Sequence, residues 1–223
     1  KKIAGGASGL VLDVKTGTGA FMEKVSKARE LAQTMVKIGK RVSQTTTAFI
    51  TDMSEPLGAA VGNSLEVIEA VQTLKNEGPP DLEKLCLYLG AAMLKLAGKV
   101  ENLEQGKDLL KDKIRSGAAL KKFKEMVTNQ QGDPAFISDY SLLPAADYKI
   151  EIKSEKSGFI KEVDAKKIGL TVMQIGGGRE KKGDKIDPAV GVVLNKKYGD
   201  KVEAGDLLAE IYLNQKENFA EEQ

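Results

Sequence analysis

The stretch Gly9-Leu10-Val11-Leu12-Asp13-Val14, which runs directly into Lys15-Thr16-Gly17-Thr18-Gly19-Ala20-Phe21-Met22, decides the fold of this 223-residue chain. Its first six residues are apolar on both alternating faces, as in a strand that helices cover on both sides. A glycine loop follows, and residues 23–38 then show the apolar spacing of an amphipathic helix. Residues 46–51 form a second candidate strand. Strand, helix and strand at this spacing predict a right-handed crossover in a largely parallel sheet.

The segments after this unit are predicted to be mostly helical. Gly39 weakens or ends the first helix, and Asn63 and Glu66 have the spacing of a capping box. Asp81 is predicted to cap the helix after the Gly78-Pro79-Pro80 break. The predicted helices cover residues 63–74, 81–96, 103–114 and 117–129.

The hydrophobic pattern changes after about residue 143. Short segments of alternating polarity, separated by Gly and Asp turns, indicate antiparallel β structure at residues 148–152, 158–163, 190–194 and 207–212. The predicted fold class is therefore α/β, a mixed and largely parallel sheet flanked by helices, followed by a C-terminal antiparallel β-rich subdomain. The expected divisions are the tail of a missing helical domain, an α/β portion, the β subdomain and a frayed tail, at residues 1–7, 8–143, 144–216 and 217–223.

The charge pattern argues against nucleic acid and membranes as partners. The chain has 34 basic and 32 acidic residues, for a formal charge of +2, and lysines alternate with glutamates without interleaved aromatic residues. This pattern is typical of a solvated surface. No apolar stretch approaches the roughly 18–20 residues of a membrane span.

The chain has no histidine and one cysteine, Cys86. The first fact excludes imidazole from any chemistry within this sequence. The second excludes an internal disulfide and a multi-thiolate zinc site. Cys86 lies in an apolar run and is expected to be a small buried hydrophobe. Such cysteine usage favours a reducing compartment, and we expect the protein in the cytoplasm.

Several loops are candidates for binding. The glycine loop at residues 15–20 follows a strand, where ligands collect in open α/β sheets, although its spacing alone favours a structural turn. By position alone, Phe21 is more typical of a core than of a stacking surface. The loop at residues 57–62 could turn carbonyl groups towards an ion that Glu66 or Glu69 completes, or could serve close packing only.

Two further segments leave alternatives open. The run Gly176-Gly177-Gly178-Arg179 could hold an anion or shape a turn. Residues 190–212 are similar to half of a biotinyl or lipoyl carrier domain. Lys196 or Lys197 would then carry the modification, but the flanking methionines that are usual in such carriers are missing.

Taken together, these motifs resemble the thymidine/pyrimidine-nucleoside phosphorylase family. The resemblance covers nearly the whole chain in order, and the Asp-Val-Lys-x-Gly-x-Gly-Ala-Phe-Met run is its most specific part. The matching runs are Lys1-Lys2-Ile3-Ala4, residues 12–22, Thr51-Asp52-Met53, Gly62-Asn63, residues 176–179, and Asp187 with Val190-Gly191.

The resemblance implies an activity and a small set of site residues. The family cleaves uridine, thymidine or deoxyuridine with phosphate as co-substrate, as homodimers and without an organic cofactor. Lys1 would donate to a pyrimidine carbonyl, and Phe21 would border the base. A monovalent cation such as K⁺, or calcium, would bind the carbonyls of Leu57 and Ala60 and the carboxylate of Glu69, since oxygen ligands suit such ions.

The resemblance also implies what this sequence lacks. The family's phosphate-binding lysine and serines, and its histidine, arginine and serine at the base, would lie upstream of Lys1. Without a phosphate cradle the nucleophile is not positioned, so we expect no phosphorolysis by this chain alone. Two alternatives stay open, a non-catalytic module built on the carrier-like β segment and a relative of the phosphoribosyltransferases.

Overall fold

The computed structural model describes residues 5–215. The first unit is a strand, β1 (Gly9–Thr16), a helix, α1 (Val25–Arg41), and a second strand, β2 (Thr45–Asp52). The two strands pair in parallel from Gly9 opposite Thr45 to Thr16 opposite Asp52. This confirms the strand–helix–strand unit predicted from the sequence.

One core lies between α1 and the parallel pair. Leu12, Val14, Ala28 and Ala32 are buried there, with smaller contributions from the side chains around them. The small alanines let the helix approach the strands closely. Gly39, expected to weaken or end α1, lies two residues before its last residue, Arg41. It packs against the backbone of Gln44 and the side chain of Thr46, where no side chain would fit.

The helical segment follows the predicted order, with corrections at two N-termini. The elements are β3 (Ala60–Val61), α2 (Asn63–Leu74), α3 (Pro80–Leu96), α4 (Leu103–Arg115) and α5 (Ala118–Asn129). Gly62, with φ of 138°, occupies the cap position of α2, so Asn63 is its first helical residue and not its cap. Pro80 likewise starts α3, which leaves Asp81 inside the first turn.

The prediction that Cys86 is buried is wrong, because this cysteine is exposed on α3. The buried face of that helix carries Leu87, Ala91 and Ala92, and Cys86 lies off this face. An apolar run on a helix places some of its members outside the core, and the run alone did not show which ones.

The C-terminal part is built around antiparallel strands. Its elements are β4 (Tyr148–Lys153), β5 (Gly158–Phe159), α6 (Ala165–Val172), β6 (Gly191–Leu194), β7 (Lys201–Val202) and β8 (Leu207–Leu213). β5 pairs with β7, and it ends earlier than the predicted strand at residues 158–163. The helix α6 was not predicted. Asp164 caps it by accepting the amides of Lys166 and Lys167.

The main antiparallel sheet has the order β3-β6-β8-β4 within the part of the chain that the structure describes. Its core contains Val172, Val192, Leu194, Ile211 and Leu213. The predicted fold class, mixed α/β followed by antiparallel β, is confirmed. Parallel pairing within residues 5–215 is confined to β1 and β2.

The edge strand β3 comes from the helical half of the sequence, so the predicted α/β portion and β subdomain share one sheet. Ala60 lies opposite Val193, and the amide of Leu194 donates to the carbonyl of Ala59 at 2.8 Å. The division near residue 143 stays a prediction. None of the helices in residues 5–215 combines the length and apolar character that crossing a membrane requires.

Candidate functional site

The glycine loop lies at the carboxyl end of β1 and is fastened to the loop that follows β2. The amide of Gly19 donates to the carbonyl of Met53 at 3.0 Å, and the amide of Met53 donates to the carbonyl of Thr16 at 2.7 Å. The hydroxyl of Thr18 donates to the carbonyl of Ser54 at 3.1 Å. These bonds fix the loop at the edge of the sheet where open α/β folds bind ligands.

Gly17 is required by the local geometry of this loop. Its φ of 105° is in the region that disfavours side chains, and a Cβ would meet the amide of Ser54 at 2.7 Å. Asp52 organises the facing loop, since its carboxylate accepts both the amide and the hydroxyl of Ser54, at 3.0 and 2.7 Å. The sequence motif thus makes a rigid structural turn, as its spacing suggested, and also holds the residues beyond it.

Phe21 projects from this loop with its side chain fully exposed, at 106% of the reference area. Position alone favoured a core residue, and that interpretation is wrong. An aromatic ring in water at the carboxyl end of a strand is available to a ligand. Lys1, the other predicted substrate-binding residue, lies outside the described residues.

A charged cluster on β1 and β2 was not singled out from the sequence. The ammonium of Lys15 pairs with Asp13 at 2.7 Å, and the other carboxylate oxygen of Asp13 accepts the hydroxyl of Thr51. The Lys15 nitrogen is buried. The strand pattern that places Asp13 and Lys15 two residues apart, on one face, is the signal that could have identified this pair.

A second candidate region lies in the loop that precedes α2. Glu69, only 7% exposed, accepts the amides of Ala59 and Ala60 with one carboxylate oxygen, at 2.7 and 2.9 Å. Glu66 instead accepts the amide of Gly62 at 3.0 Å. The sequence left both glutamates open as partners of this loop, and only Glu69 contacts its centre.

The electrostatics of Glu69 follow from its position. Burial raises the pKa of its carboxyl group. The hydrogen bonds from the amides of Ala59 and Ala60 lower this pKa but do not cancel the effect of burial, and the nearby charges of Asp81 and Glu66 raise it further. A positive ion beside this carboxylate would stabilise its charged form.

Of the predicted cation ligands, Glu69 contacts the amide of Ala60, and Leu57 precedes Ala60 by three residues in the same loop. Gly58, between the first two, adopts φ of 72° and approaches the Glu69 carboxylate so closely that a side chain there would clash. The donor set of carbonyl and carboxylate oxygens is of the kind that hard cations prefer. Within residues 5–215 no group of three or more His, Cys, Asp or Glu side chains could hold a metal.

A cavity of about 290 Å³ lies between the glycine loop and the C-terminal subdomain. Thr18, Asp52 and Ser54 line it on one side, and Val163 and Tyr198 line it on the other. The amide of Tyr198 donates to Glu55 at 3.0 Å, which fastens the loop after β6 to the loop after β2. The C-terminal subdomain therefore forms part of the surroundings of the candidate site.

The glycine run at residues 176–179 has a structural role in this arrangement. Gly176 adopts φ of 97°, and its carbonyl accepts the amide of Asp187 at 2.9 Å. Arg179 donates through Nε to the carbonyl of Asp184 at 3.1 Å, within its own loop. These contacts support the interpretation of this run as a shaped turn.

Comparison with known proteins identifies matches along both halves of the chain. The family model described as "Glycosyl transferase family, a/b domain" matches residues 1–120. The model described as "Pyrimidine nucleoside phosphorylase C-terminal domain" matches residues 159–223.

Pyrimidine-nucleoside phosphorylases from Staphylococcus aureus strains USA300, COL and bovine RF122/ET3-1 are each 52% identical to this chain over 217 residues. The similarity covers 97% of this chain and 50% of each relative, so the chain spans about half the length of the curated relatives it matches. Because one family model accounts for more than half of the sequence and the second for much of the remainder, this chain belongs to the glycosyl transferase family that includes the pyrimidine-nucleoside phosphorylases.

Proposed function

We propose that this chain is the C-terminal part of an enzyme that cleaves uridine, thymidine or deoxyuridine with phosphate. The bond between the pentose and the base breaks, phosphate bonds to the pentose, and the products are the free base and ribose or deoxyribose 1-phosphate. The observation that carries the proposal is the fully exposed Phe21 on a glycine loop held at the carboxyl end of β1.

Phe21 and Lys1 would act on the base. An exposed ring can lie along the base and exclude water from one of its edges, which favours a bound orientation. Lys1 would donate a hydrogen bond to a pyrimidine carbonyl. Negative charge develops on the departing base, and a donor placed there lowers the energy of the transition state.

Leu57, Ala60 and Glu69 would hold a monovalent cation such as K⁺, or calcium. The buried Glu69 carboxylate already contacts the loop that carries the two carbonyl groups. A cation bound there would contribute positive charge near an anionic co-substrate. The contacts between Glu69 and the amides of Ala59 and Ala60 would keep the carboxylate beside this loop.

The groups expected to hold phosphate are not among the motifs of this chain. We therefore propose that this chain alone does not catalyse phosphorolysis, and that activity belongs to a longer, homodimeric protein in the cytoplasm.

The test is uracil release from uridine and phosphate, measured by absorbance, for this chain and for a full-length protein that carries it. We expect turnover only in the full-length protein, and its loss when phosphate is omitted. Turnover by this chain at full-length levels would contradict the assignment of phosphate binding to the absent half. No turnover by the full-length protein would refute the proposed reaction itself.

The carrier-module alternative is not favoured. The ammonium of Lys197 is held by Pro56, Gly58 and Asp81, which leaves it poorly placed for modification. The Lys196 nitrogen contacts the carbonyl of Lys201 at 3.3 Å and Asp206 at 3.4 Å.

A further inference from the structure

Lys197 follows β6 and extends its ammonium group into the loop that precedes α2. It donates to the carbonyl of Pro56 at 2.7 Å and to the carbonyl of Gly58 at 3.0 Å. It also donates to the carboxylate of Asp81, and Glu55 lies 3.7 Å away. About a fifth of its side chain (21%) is exposed. A residue of the C-terminal subdomain thus crosses to a loop that precedes it by about 140 residues in sequence.

The surroundings of this ammonium are those of a small bound cation. A lysine has three N–H donors and no acceptor, and here two carbonyl oxygens and one carboxylate receive them. Asp81 also accepts the amide of Gly58 at 3.1 Å, so it bridges the loop and the ammonium. Burial alone would raise the pKa of Asp81, but the bond and charge of Lys197, with the amides of Gly58 and Leu82, hold it below its usual range.

The same short loop is held from its other side by Glu69. Lys197 donates hydrogen bonds to the carbonyl groups of Pro56 and Gly58, while Glu69 accepts hydrogen bonds from the amides of Ala59 and Ala60. The loop is thus restrained through its carbonyl groups by a cation and through its amide groups by an anion. Removal of either charge would leave polar backbone groups without a partner.

We propose that Lys197 is a positioning residue whose ammonium serves as a built-in cation for the loop at residues 56–60. It sets the shape in which this loop meets Glu69, and through Glu69 it acts on the cation site of the proposed function. The kinetic part of this inference depends on the proposed function. The structural part does not, because it concerns only contacts within the chain.

Chemical rescue tests the inference in the full-length protein. Lys197→Ala removes the ammonium and its stem, and we expect Tm to fall by roughly 3–6 °C. Added n-propylammonium, whose length matches the deleted part, should restore most of that loss at constant ionic strength and constant K⁺. Tetramethylammonium cannot donate hydrogen bonds and should restore none of it.

Two matched variants separate this role from packing. Lys197→Met keeps the length of the four-carbon stem but lacks the ammonium, so it should lower Tm and show no rescue, because the stem already fills the space that n-propylammonium would need. Lys196→Ala removes the neighbouring, more peripheral lysine and should change Tm little. Equal rescue of Lys197→Ala and Lys197→Met, or no rescue of Lys197→Ala, overturns the proposal.

Turnover supplies a second readout. In Lys197→Ala the K⁺ concentration for half-maximal activity should rise several-fold, and n-propylammonium should bring it back towards the parent value. An unchanged K⁺ dependence in a variant with lowered Tm would overturn the positioning role. If the parent protein shows no phosphorolysis, the proposed function fails, while the thermal rescue still decides the role of Lys197.

Reductive methylation keeps the inference testable if Lys197→Ala does not fold. In the parent protein we expect Lys197 to be methylated at least several-fold more slowly than Lys196, as read by peptide mass spectrometry. Asp81→Asn weakens the hold on the ammonium and should raise the rate at Lys197 without affecting Lys196. Equal rates for the two lysines in the parent protein contradict the contacts on which the proposal depends.

Discussion

Oε1 of Glu69 accepts the backbone amide of Ala60 at 2.9 Å, and the same oxygen accepts the amide of Ala59 at 2.7 Å. A side chain on α2 therefore holds the loop that leads into the edge strand β3. Since β3 belongs to the main antiparallel sheet, this carboxylate connects the helical half of the chain with the C-terminal subdomain. We therefore expect stability to depend on this carboxylate, which is also the charged ligand of the proposed cation site.

Glu69→Ala should destabilise the protein strongly. Each amide left without a partner in this buried position costs about 1–3 kcal/mol. We expect a clear fall in Tm, measured by circular dichroism. Glu77→Ala, at an exposed position that lines the neighbouring cavity, is the control and should change Tm little. Similar losses of Tm in Glu69→Ala and Glu77→Ala would show that the hydrogen bonds from Ala59 and Ala60 to Glu69 do not stabilise the fold.

Glu69→Gln separates hydrogen bonding from charge. The amide oxygen of glutamine can still accept from Ala59 and Ala60, so most of the stability should remain. The negative charge is lost, so binding of calcium or K⁺ at the proposed site should weaken at least tenfold by calorimetric titration. Undiminished cation binding in Glu69→Gln would remove Glu69 from the ligand set.

The raised pKa of Glu69 should make the stability of the protein depend on pH. Burial raises the pKa of this carboxyl group above 4.5, so the folded protein holds the proton more tightly than the unfolded chain. The contribution of Glu69 to stability is therefore largest below pH 4.5 and falls as the pH rises through the folded pKa. In cation-free buffer, the Tm of Glu69→Gln relative to the parent should rise over the same interval.

Asp81→Asn should show the opposite sign. Burial alone would raise the pKa of Asp81, but the bond and charge of Lys197 together with the amides of Gly58 and Leu82 outweigh burial and lower this pKa from 3.8 in the folded protein. Asp81 thus stabilises the fold above that pH and loses its contribution as the pH falls through the folded pKa. The Tm deficit of Asp81→Asn relative to the parent should be full at neutral pH and shrink in acid. A deficit that does not change with pH would contradict a charge-based role.

The sequence predicted the elements of the fold well where periodicity was strong. The buried strand at Leu12 and Val14 and the helix after it follow from apolar spacing alone. The helix α6 was missed because it spans only eight residues, so the spacing of Ala165, Ile168 and Val172 is too short a pattern to be recognised as helical. The edge strand β3 was missed since its pairing depends on a partner more than 130 residues away.

The candidate site was predicted less completely for the same reason. Local motifs identified the glycine loop and the loop before α2, and the family resemblance suggested Glu69 over Glu66. Lys197 and Asp81 meet only in three dimensions, and the sequence suggested unrelated roles for them, a carrier lysine and a helix cap. Exposure of Phe21 also depends on what packs against the loop, which a residue type does not reveal.

Phe21→Ala should separate binding from folding. The ring is fully exposed in this chain, so its removal should leave Tm nearly unchanged. In the full-length protein, loss of aromatic contact with a base should cost about 1–3 kcal/mol, which corresponds to a KM for nucleoside higher by roughly 5- to 160-fold. Phe159→Ala, at another exposed ring (72%), should leave KM unchanged. Equal KM values for Phe21→Ala and the parent would exclude Phe21 from the base site.

Gly39→Ala tests the packing of α1 on the parallel strands. Alanine favours a helix over glycine by about 1 kcal/mol, yet a Cβ here would lie 2.9 Å from the carbonyl of Gln44 and would overlap the hydroxyl of Thr46. Because backbone cannot yield as a flexible side chain does, we expect a net loss of about 1–3 kcal/mol in stability.

Gly169→Ala is the matched control for that change. Gly169 is also helical, in α6, but a Cβ there meets no atom within 4 Å, so helix propensity should dominate and stability should rise by up to about 1 kcal/mol. Thermal unfolding of the two variants should therefore shift in opposite directions. A gain in Tm for Gly39→Ala would mean that α1 lies farther from β2 than the contacts of Gly39 indicate.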